Sequence, residues 1–215
     1  MLRNASFGQI MVTLPALLLA FTIHELCHGL MANWLGDDTA KRDGRLSLNP
    51  IKHIDPVGML LLLIAGFGWA KPVIVNPVNF RNPKVDMALV AIAGPISNFI
   101  MAFIGLMILF PIYLYAYNAP IYLFEGLWIF TYINVLLGVF NLIPIPPLDG
   151  SKVIAGMLPD SIYYKLPPTG MFGMILLLIL VFTGATQTII LPIVEAIHDT
   201  FLNAVGNIYM FFIEG

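Results

Sequence analysis

The chain of 215 residues is strongly apolar, with 59% hydrophobic and 10% charged residues, whereas about a quarter of the residues in a soluble domain are charged. A formal net charge of −2 excludes the basic surface typical of nucleic-acid-binding proteins, and a single cysteine, Cys27, excludes an intrachain disulfide. We therefore expect an all-α integral membrane protein. No polar stretch is long enough for a separate soluble domain, so residues 1–215 are predicted to form one membrane-embedded domain.

The first apolar run, 7–35, carries two histidines and a glutamate at membrane depth. His24, Glu25 and His28 form the pattern H-E-x-x-H. Positions i and i+4 share one face of a helix, so both imidazoles can bind one zinc ion, with Glu25 beside them as a general base. Because ionisable groups in lipid are costly, the pattern predicts intramembrane metal chemistry with one Zn²⁺ per chain. The alternative is a buried, hydrogen-bonded polar cluster.

Two short segments follow the first helix. The apolar segment 57–68 has 12 residues, and a spanning helix needs about 20, so we expect this segment to be re-entrant. The segment 72–80 is rich in valine and proline, which favours an extended or β-hairpin-like conformation. In the loop before them, His53 is interpreted as an interfacial residue, with an accessory role at the site as the alternative.

Four further apolar runs complete a polytopic helical bundle of about five to six membrane segments. They are 85–117, 121–142, 170–183 and 189–212. Apart from Arg3, all lysines and arginines fall in 41–84 or 152–165, which the positive-inside rule places in the cytosol. This predicts a multi-pass protein of the cell membrane, with its N-terminus outside, its C-terminus cytosolic and the H-E-x-x-H pattern in the cytosolic half of the bilayer.

A third zinc ligand is needed, because catalytic zinc usually has three protein ligands and an open position. Asp149 follows a proline-broken helix end at the predicted depth of His28, and a carboxylate at that depth requires a partner such as a cation. Glu125 and Glu195 are chemical alternatives, but both are predicted near the outer boundary. Asp149 is therefore the predicted ligand, and a turn or helix-cap role is its alternative.

Three motifs in this order resemble those of the site-2 proteases, which are intramembrane zinc metalloproteases. The H-E-x-x-H at 24–28 matches the first signature of that family. Gly94, Pro95 and Asn98 resemble its G-P-x-x-N motif, and the sequence at 141–150, NLIPIPPLDG, resembles its N-x-x-P-x-P-x-x-D-G signature in general form. The chain is most similar to the compact branch of the family, which lacks a PDZ domain.

The resemblance implies a zinc endopeptidase with a three-helix catalytic core, which hydrolyses peptide bonds in or near transmembrane segments during regulated intramembrane proteolysis. By resemblance, His24, His28 and Asp149 are the zinc ligands and Glu25 is the catalytic acid and base. The expected partners are a transmembrane protein substrate and the lipid bilayer, with no nucleic acid. The oligomeric state is left open.

Two asparagines near the predicted site, Asn98 and Asn141, are candidates for binding an oxyanion or orienting the substrate backbone. The alternative is that they bridge helices. The 72–80 segment is predicted to pair with an extended substrate by β-addition.

Two other functions remain as alternatives: a non-proteolytic metal-binding membrane protein and a metal or proton transporter. The presence of Glu25 argues against the first, because a structural site needs no base. Against the second, the run at 86–117 has one charged residue, Asp86, at its edge.

Overall fold

The computed structural model describes residues 7–65, 68–116, 118–163, 165 and 170–214. Of the described residues, 79% are helical, and none lies in a strand. The α-helices are α1 (Phe7–Trp34), α2 (Thr39–Arg42), α3 (Pro56–Ala65), α4 (Pro83–Tyr115), α5 (Ile121–Asn141), α6 (Asp149–Met157), α7 (Asp160–Tyr163), α8 (Gly170–Phe182) and α9 (Ala185–Glu214), with short 3₁₀ turns at Pro50–His53 and Pro77–Asn79. Residues 66 and 67 of the predicted segment 57–68, and residue 117 at the end of the predicted segment 85–117, lie outside the described residues.

Four of the described helices, α1, α4, α5 and α9, are long and apolar enough to cross a membrane. The shortest of them, α5, has 21 residues, which at about 1.5 Å per residue matches a hydrocarbon core of about 30 Å. The longest, α4, starts with Pro83 in its first turn, and the Asn82 side chain accepts a hydrogen bond from the Val85 N–H. The prediction of an all-α polytopic membrane protein is confirmed.

Helices α1, α4 and α5 form the centre of the bundle. Ala16 and Ala20 of α1 share a buried cluster with Phe130 and Ile133 of α5. Small residues such as alanine let helix backbones approach closely, which is how helices associate where lipid removes most of the hydrophobic drive. Because α1 and α5 run in the same direction and α4 in the opposite one, the C-terminal ends of α1 and α5 meet the N-terminal end of α4.

The segment 57–68 returns to the end of the bundle from which it leaves. Helix α3 has 10 residues, a length of about 15 Å, or half of a hydrocarbon core. At its base Ile54 and Ala70 form an antiparallel bridge, and the Lys71 N–H donates to the His53 carbonyl over 2.8 Å. The described part of this segment therefore does not cross the bundle, as predicted for a re-entrant element.

The directions predicted for the last two apolar runs are wrong. Helix α8 has 13 residues, about 20 Å, which is too short to cross. Its Gly173 lies against the backbone of Pro146, just beyond the C-terminal end of α5. A turn at Gly184, where φ is +76°, then leads into α9. The break between the two apolar runs was predicted, but hydropathy counts apolar residues and does not give the direction in which each helix runs.

Contacts of α9 fix its direction. Ile190 shares a buried cluster with Val139, near the C-terminal end of α5. Further along α9, the Tyr209 hydroxyl donates to the Met107 carbonyl in the second half of α4, over 2.8 Å. Helix α9 therefore runs parallel to α4, so its C-terminal end lies at the same end of the bundle as the N-terminal end of α1, and not at the predicted cytosolic end.

Candidate metal centre

Three predicted ligands meet where α1 and α6 approach each other. The His24 and His28 Nε2 atoms lie 3.2 and 3.1 Å from Asp149 Oδ2, and 3.0 Å from each other. All three side chains are buried, with exposed fractions of 4%, 8% and 8%. Among the described residues they form the group of histidine and acidic side chains suited to hold a metal ion.

Neighbouring oxygens set the protonation of the two imidazoles. His24 Nδ1 lies 2.6 Å from Asn98 Oδ1, and His28 Nδ1 lies 2.7 Å from the Val90 carbonyl oxygen. Both oxygens only accept hydrogen bonds, so each Nδ1 carries the proton and donates it, and each Nε2 presents a lone pair. Two lone pairs and a carboxylate oxygen thus converge on one point, an arrangement suited to bind a cation.

The donor set and its spacing fit zinc. A tetrahedral site with bonds of about 2.0–2.1 Å places neighbouring ligand atoms about 3.3 Å apart, close to the 3.0–3.2 Å observed. The Lys152 ammonium lies 3.7 Å from Asp149 Oδ1 and favours the negative form of Asp149. A carboxylate is the form of an acidic side chain that binds metal.

Two glycines make room for this arrangement. A Cβ atom at Gly94 of α4 would lie 2.4 Å from His28 Nε2, so a side chain at this position would displace the imidazole. A Cβ atom at Gly150 would lie 2.1 Å from the Leu142 carbonyl oxygen. Gly150 therefore lets the first turn of α6 lie against the end of α5, which places Asp149 over α1.

The predicted base, Glu25, lies on α1 between the two histidines. Its Oε2 atom accepts a hydrogen bond from the Val73 backbone N–H over 2.8 Å. Val73 belongs to 71–76, which is neither helix nor strand and precedes the 3₁₀ turn at Pro77–Asn79. The extended conformation predicted for 72–80 is confirmed at Asn76 and Phe80 and is wrong at Pro77–Asn79, which forms a 3₁₀ turn. The segment lies against the candidate site.

The remaining candidates lie in different surroundings. Asn98 is fully buried and contacts His24, as described above. Asn141 is half-buried, and its side-chain amide donates to the Leu137 carbonyl of its own helix over 3.0 Å. His53 is buried, with its Nε2 atom 2.8 Å from the Ser47 carbonyl and no partner for Nδ1 among the described residues. Glu125 and Glu195 do not belong to the metal-binding group.

Sequence reasoning missed Asn134, which supports the site from α5. The Asn98 side-chain amide donates to Asn134 Oδ1 over 2.9 Å, and the Asn134 amide donates to the Phe130 carbonyl over 2.8 Å. A chain of hydrogen bonds therefore links α5 through Asn98 to His24. The signal available in the sequence was an asparagine in the middle of an apolar run, which is costly unless its groups are paired.

Comparison with known proteins finds relatives named as zinc metalloproteases. The chain is 41% identical over 199 residues to "Putative zinc metalloprotease YwhC" of Bacillus subtilis (strain 168), covering 90% of each protein. It is 30% identical over 154 residues to "Putative zinc metalloprotease MJ0611" of Methanocaldococcus jannaschii, covering 70% of this chain and 73% of that protein. It is 26% identical over 183 residues to "Putative zinc metalloprotease Rip2" of Mycolicibacterium smegmatis, covering 83% of this chain and 69% of the relative. No protein-family profile and no solved structure matches the chain.

Proposed function

This chain belongs to the family of the relatives named zinc metalloproteases, and on that premise we propose that it is an intramembrane zinc endopeptidase of the site-2 protease type. Its substrates are membrane proteins, which it cleaves in or near their transmembrane segments during regulated intramembrane proteolysis. It acts in the cell membrane, with its site in the cytosolic half of the bilayer.

One observation carries this proposal. Two imidazole lone pairs and the Asp149 carboxylate converge within 3.2 Å, on helices that include spanning-length α1, with Glu25 adjacent to His24 in sequence. A structural metal site needs no further carboxylate, whereas peptide hydrolysis needs a base beside the metal. The basic loops lie at the same end of the bundle as the site, which supports the cytosolic orientation.

Each residue has a distinct chemical task. Bound zinc supplies Lewis acidity toward the scissile carbonyl and makes water easier to deprotonate. Glu25 accepts the proton of the hydrolytic water and then donates it to the leaving amine. Asn98 accepts the His24 Nδ1 proton, so it keeps the Nε2 lone pair of His24 directed at Asp149.

The segment 71–76, which is neither helix nor strand, is the part of the site that we expect to bind an unwound substrate. A regular helix hides its carbonyl groups within its own hydrogen bonds, so a transmembrane substrate has to become extended before cleavage. The edge of 71–76 that does not face α1 offers backbone groups to a parallel or antiparallel peptide, in the manner of β-addition. Its nearness to Glu25, through the Val73 N–H, supports this binding mode.

The test uses the purified protein in lipid vesicles, with a panel of transmembrane peptides. We expect one zinc ion per chain in the wild type and in Glu25→Gln, and cleavage by the wild type alone. The loss in Glu25→Gln should be at least about 100-fold, the order that a general base contributes. Equal cleavage by both proteins, or none by either over a broad panel, contradicts the proposal.

A further inference from the structure

The segment 71–79, called here the strap, is fixed at both ends by buried charged residues. At its start, the Arg45 guanidinium donates to the Lys71 carbonyl over 2.5 Å and to the Pro72 carbonyl over 3.2 Å. It also donates to the Lys52 carbonyl in the preceding loop. Among the described lysines and arginines, Arg45 is the one with a buried side chain, 8% exposed.

At the other end of the strap, the Asp37 carboxylate is fully buried just after α1. Its Oδ2 atom accepts the Asn76 backbone N–H over 2.7 Å, and its Oδ1 atom accepts the Asn79 side-chain amide over 2.6 Å. Thr39 also donates to Oδ1 from its N–H and hydroxyl groups. These hydrogen bonds outweigh burial, which alone raises the pKa, and hold the pKa of Asp37 below its ordinary value. Asp37 is therefore a carboxylate that holds the end of the strap.

Between these two anchors lies the contact with Glu25. The Val73 N–H donates to Glu25 Oε2 over 2.8 Å. A glutamate side chain has three rotatable torsions, and one fixed hydrogen bond to an oxygen restricts them strongly. The second oxygen, Oε1, then remains to accept a proton from water. It can do so in a fixed orientation only while Oε2 stays bonded to the Val73 N–H.

We propose that Arg45 and Asp37 are positioning residues for the general base, acting through the strap, whose Val73 N–H holds the Glu25 carboxylate in its working orientation. This inference rests on the proposed function. Neither residue touches the substrate or the metal ligands. Both keep the strap in register against α1, so that the donor of Val73 meets Oε2 and not a neighbouring group.

The donor itself is tested by two substitutions at one position. Val73→Pro removes the N–H, whereas Val73→Ala keeps the N–H and shortens only the side chain. With a transmembrane peptide that the wild type cleaves, we expect Val73→Pro to lower kcat by about 10- to 100-fold, the scale of a displacement near 1 Å. KM should change by less than about threefold, as for an interaction needed in the transition state. Bound zinc should stay at one per chain, and Val73→Ala, which keeps the donor, should retain a kcat at least about tenfold above that of Val73→Pro.

The anchor is tested by Arg45→Met, which keeps the side-chain length and removes the donors. Its control is Arg42→Met in the same loop, because Arg42 is exposed and pairs with the exposed Asp38. Hydrogen exchange of the 72–76 amides, read by mass spectrometry, should be fast in Arg45→Met and unchanged in Arg42→Met. The kcat of Arg45→Met should fall as in Val73→Pro.

The outcomes separate this inference from the proposed function. A wild type that cleaves, matched in kcat by Val73→Pro, contradicts the inference alone. The inference is also contradicted if the 72–76 amides stay protected from exchange in Arg45→Met. It is contradicted as well if that protection is lost but kcat does not change. A wild type that binds zinc and cleaves no peptide contradicts the proposed function, and the inference with it.

Discussion

Both the oxygen and the nitrogen of the Asn98 side chain form hydrogen bonds, and their partners indicate the role of this residue. Its Oδ1 atom accepts from His24 Nδ1, and its amide donates to Asn134 over 2.9 Å and to the Ala20 carbonyl over 3.4 Å. Its polar atoms are thus directed at α1 and α5. This geometry favours a role in orienting His24 over the sequence-based expectation of an oxyanion donor.

Removal of this acceptor should weaken zinc binding. In Asn98→Ala the His24 ring loses the partner that fixes its tautomer, so we expect zinc affinity to fall by about 10- to 100-fold, as for other residues that support metal ligands. The measurement is competition with a chelator of known affinity. Asn141→Ala serves as the control and should bind zinc like the wild type, because Asn141 donates only within α5 among its described contacts.

Unchanged zinc affinity in Asn98→Ala would contradict this role of Asn98. If Asn98→Ala binds zinc as tightly as the wild type but cleaves substrate more slowly, Asn98 acts on the oxyanion and not on His24. Asn98→Asp adds a further check, since its carboxylate still accepts the Nδ1 proton and should restore much of the zinc affinity.

For single residues, the spacing of the motifs predicted which side chains bind the metal, but not which residues form hydrogen bonds to those side chains. A five-residue pattern is enough to place His24 and His28 on one face, because helical periodicity is local. Membrane depth then selected Asp149 from the acidic residues. The hydrogen bond from Asn98 to Asn134 joins residues on two helices, so its existence depends on packing that neither motif encodes.

Among the elements, α3 exposes apolar side chains along most of its length. Val57, Leu60 and Ile64 are 58%, 56% and 65% exposed, although α3 is too short to span a membrane. An apolar surface of this kind is stable when lipid covers it. The short length of this apolar segment was enough to predict a re-entrant element. The bridge between Ile54 and Ala70 joins the two ends of that element.

We therefore expect the tip of α3 to lie in the hydrocarbon region. A bimane label at Ile64→Cys, in a Cys27→Ala background, should be quenched by lipids that carry a nitroxide on the acyl chain. The same label at Lys41→Cys, on the exposed face of the short polar helix α2, should be quenched much less. Equal quenching at the two positions is the result that contradicts the expectation.

The strap shows what could not be predicted about an element. Its valines and prolines indicated an extended conformation, since both residue types disfavour the interior of a helix there. Its anchoring could not be read from the same residues. Arg45 and Asp37 precede the strap by about 25 to 40 positions, and as charged residues in a polar loop they look like ordinary solvated side chains.

At the scale of the whole molecule, the charge pattern predicted the polar end correctly and the course of the last helix wrongly. The basic regions 41–84 and 152–165 do lie at one end, with the site. The positive-inside rule, however, needs charged residues in a turn to assign it, and the turn at 184–188 has none. The direction of α9 is set by contacts such as that of Thr131 with His198, 3.0 Å apart.

The packing predicts that α9 ends on the side of the membrane opposite the site. Single cysteines at Asn118, in the turn between α4 and α5, and at Phe212, near the end of α9, should react with a membrane-impermeant maleimide from the same side of sealed vesicles. A cysteine at Lys41 should react only from the other side, or after the vesicles are opened, with Cys27→Ala as the background throughout. This result is expected because α4 and α9 run in parallel from the site end of the bundle. If position 212 instead reacts together with position 41, then α9 crosses in the opposite direction, and α8 has to span the bilayer despite its 13 residues.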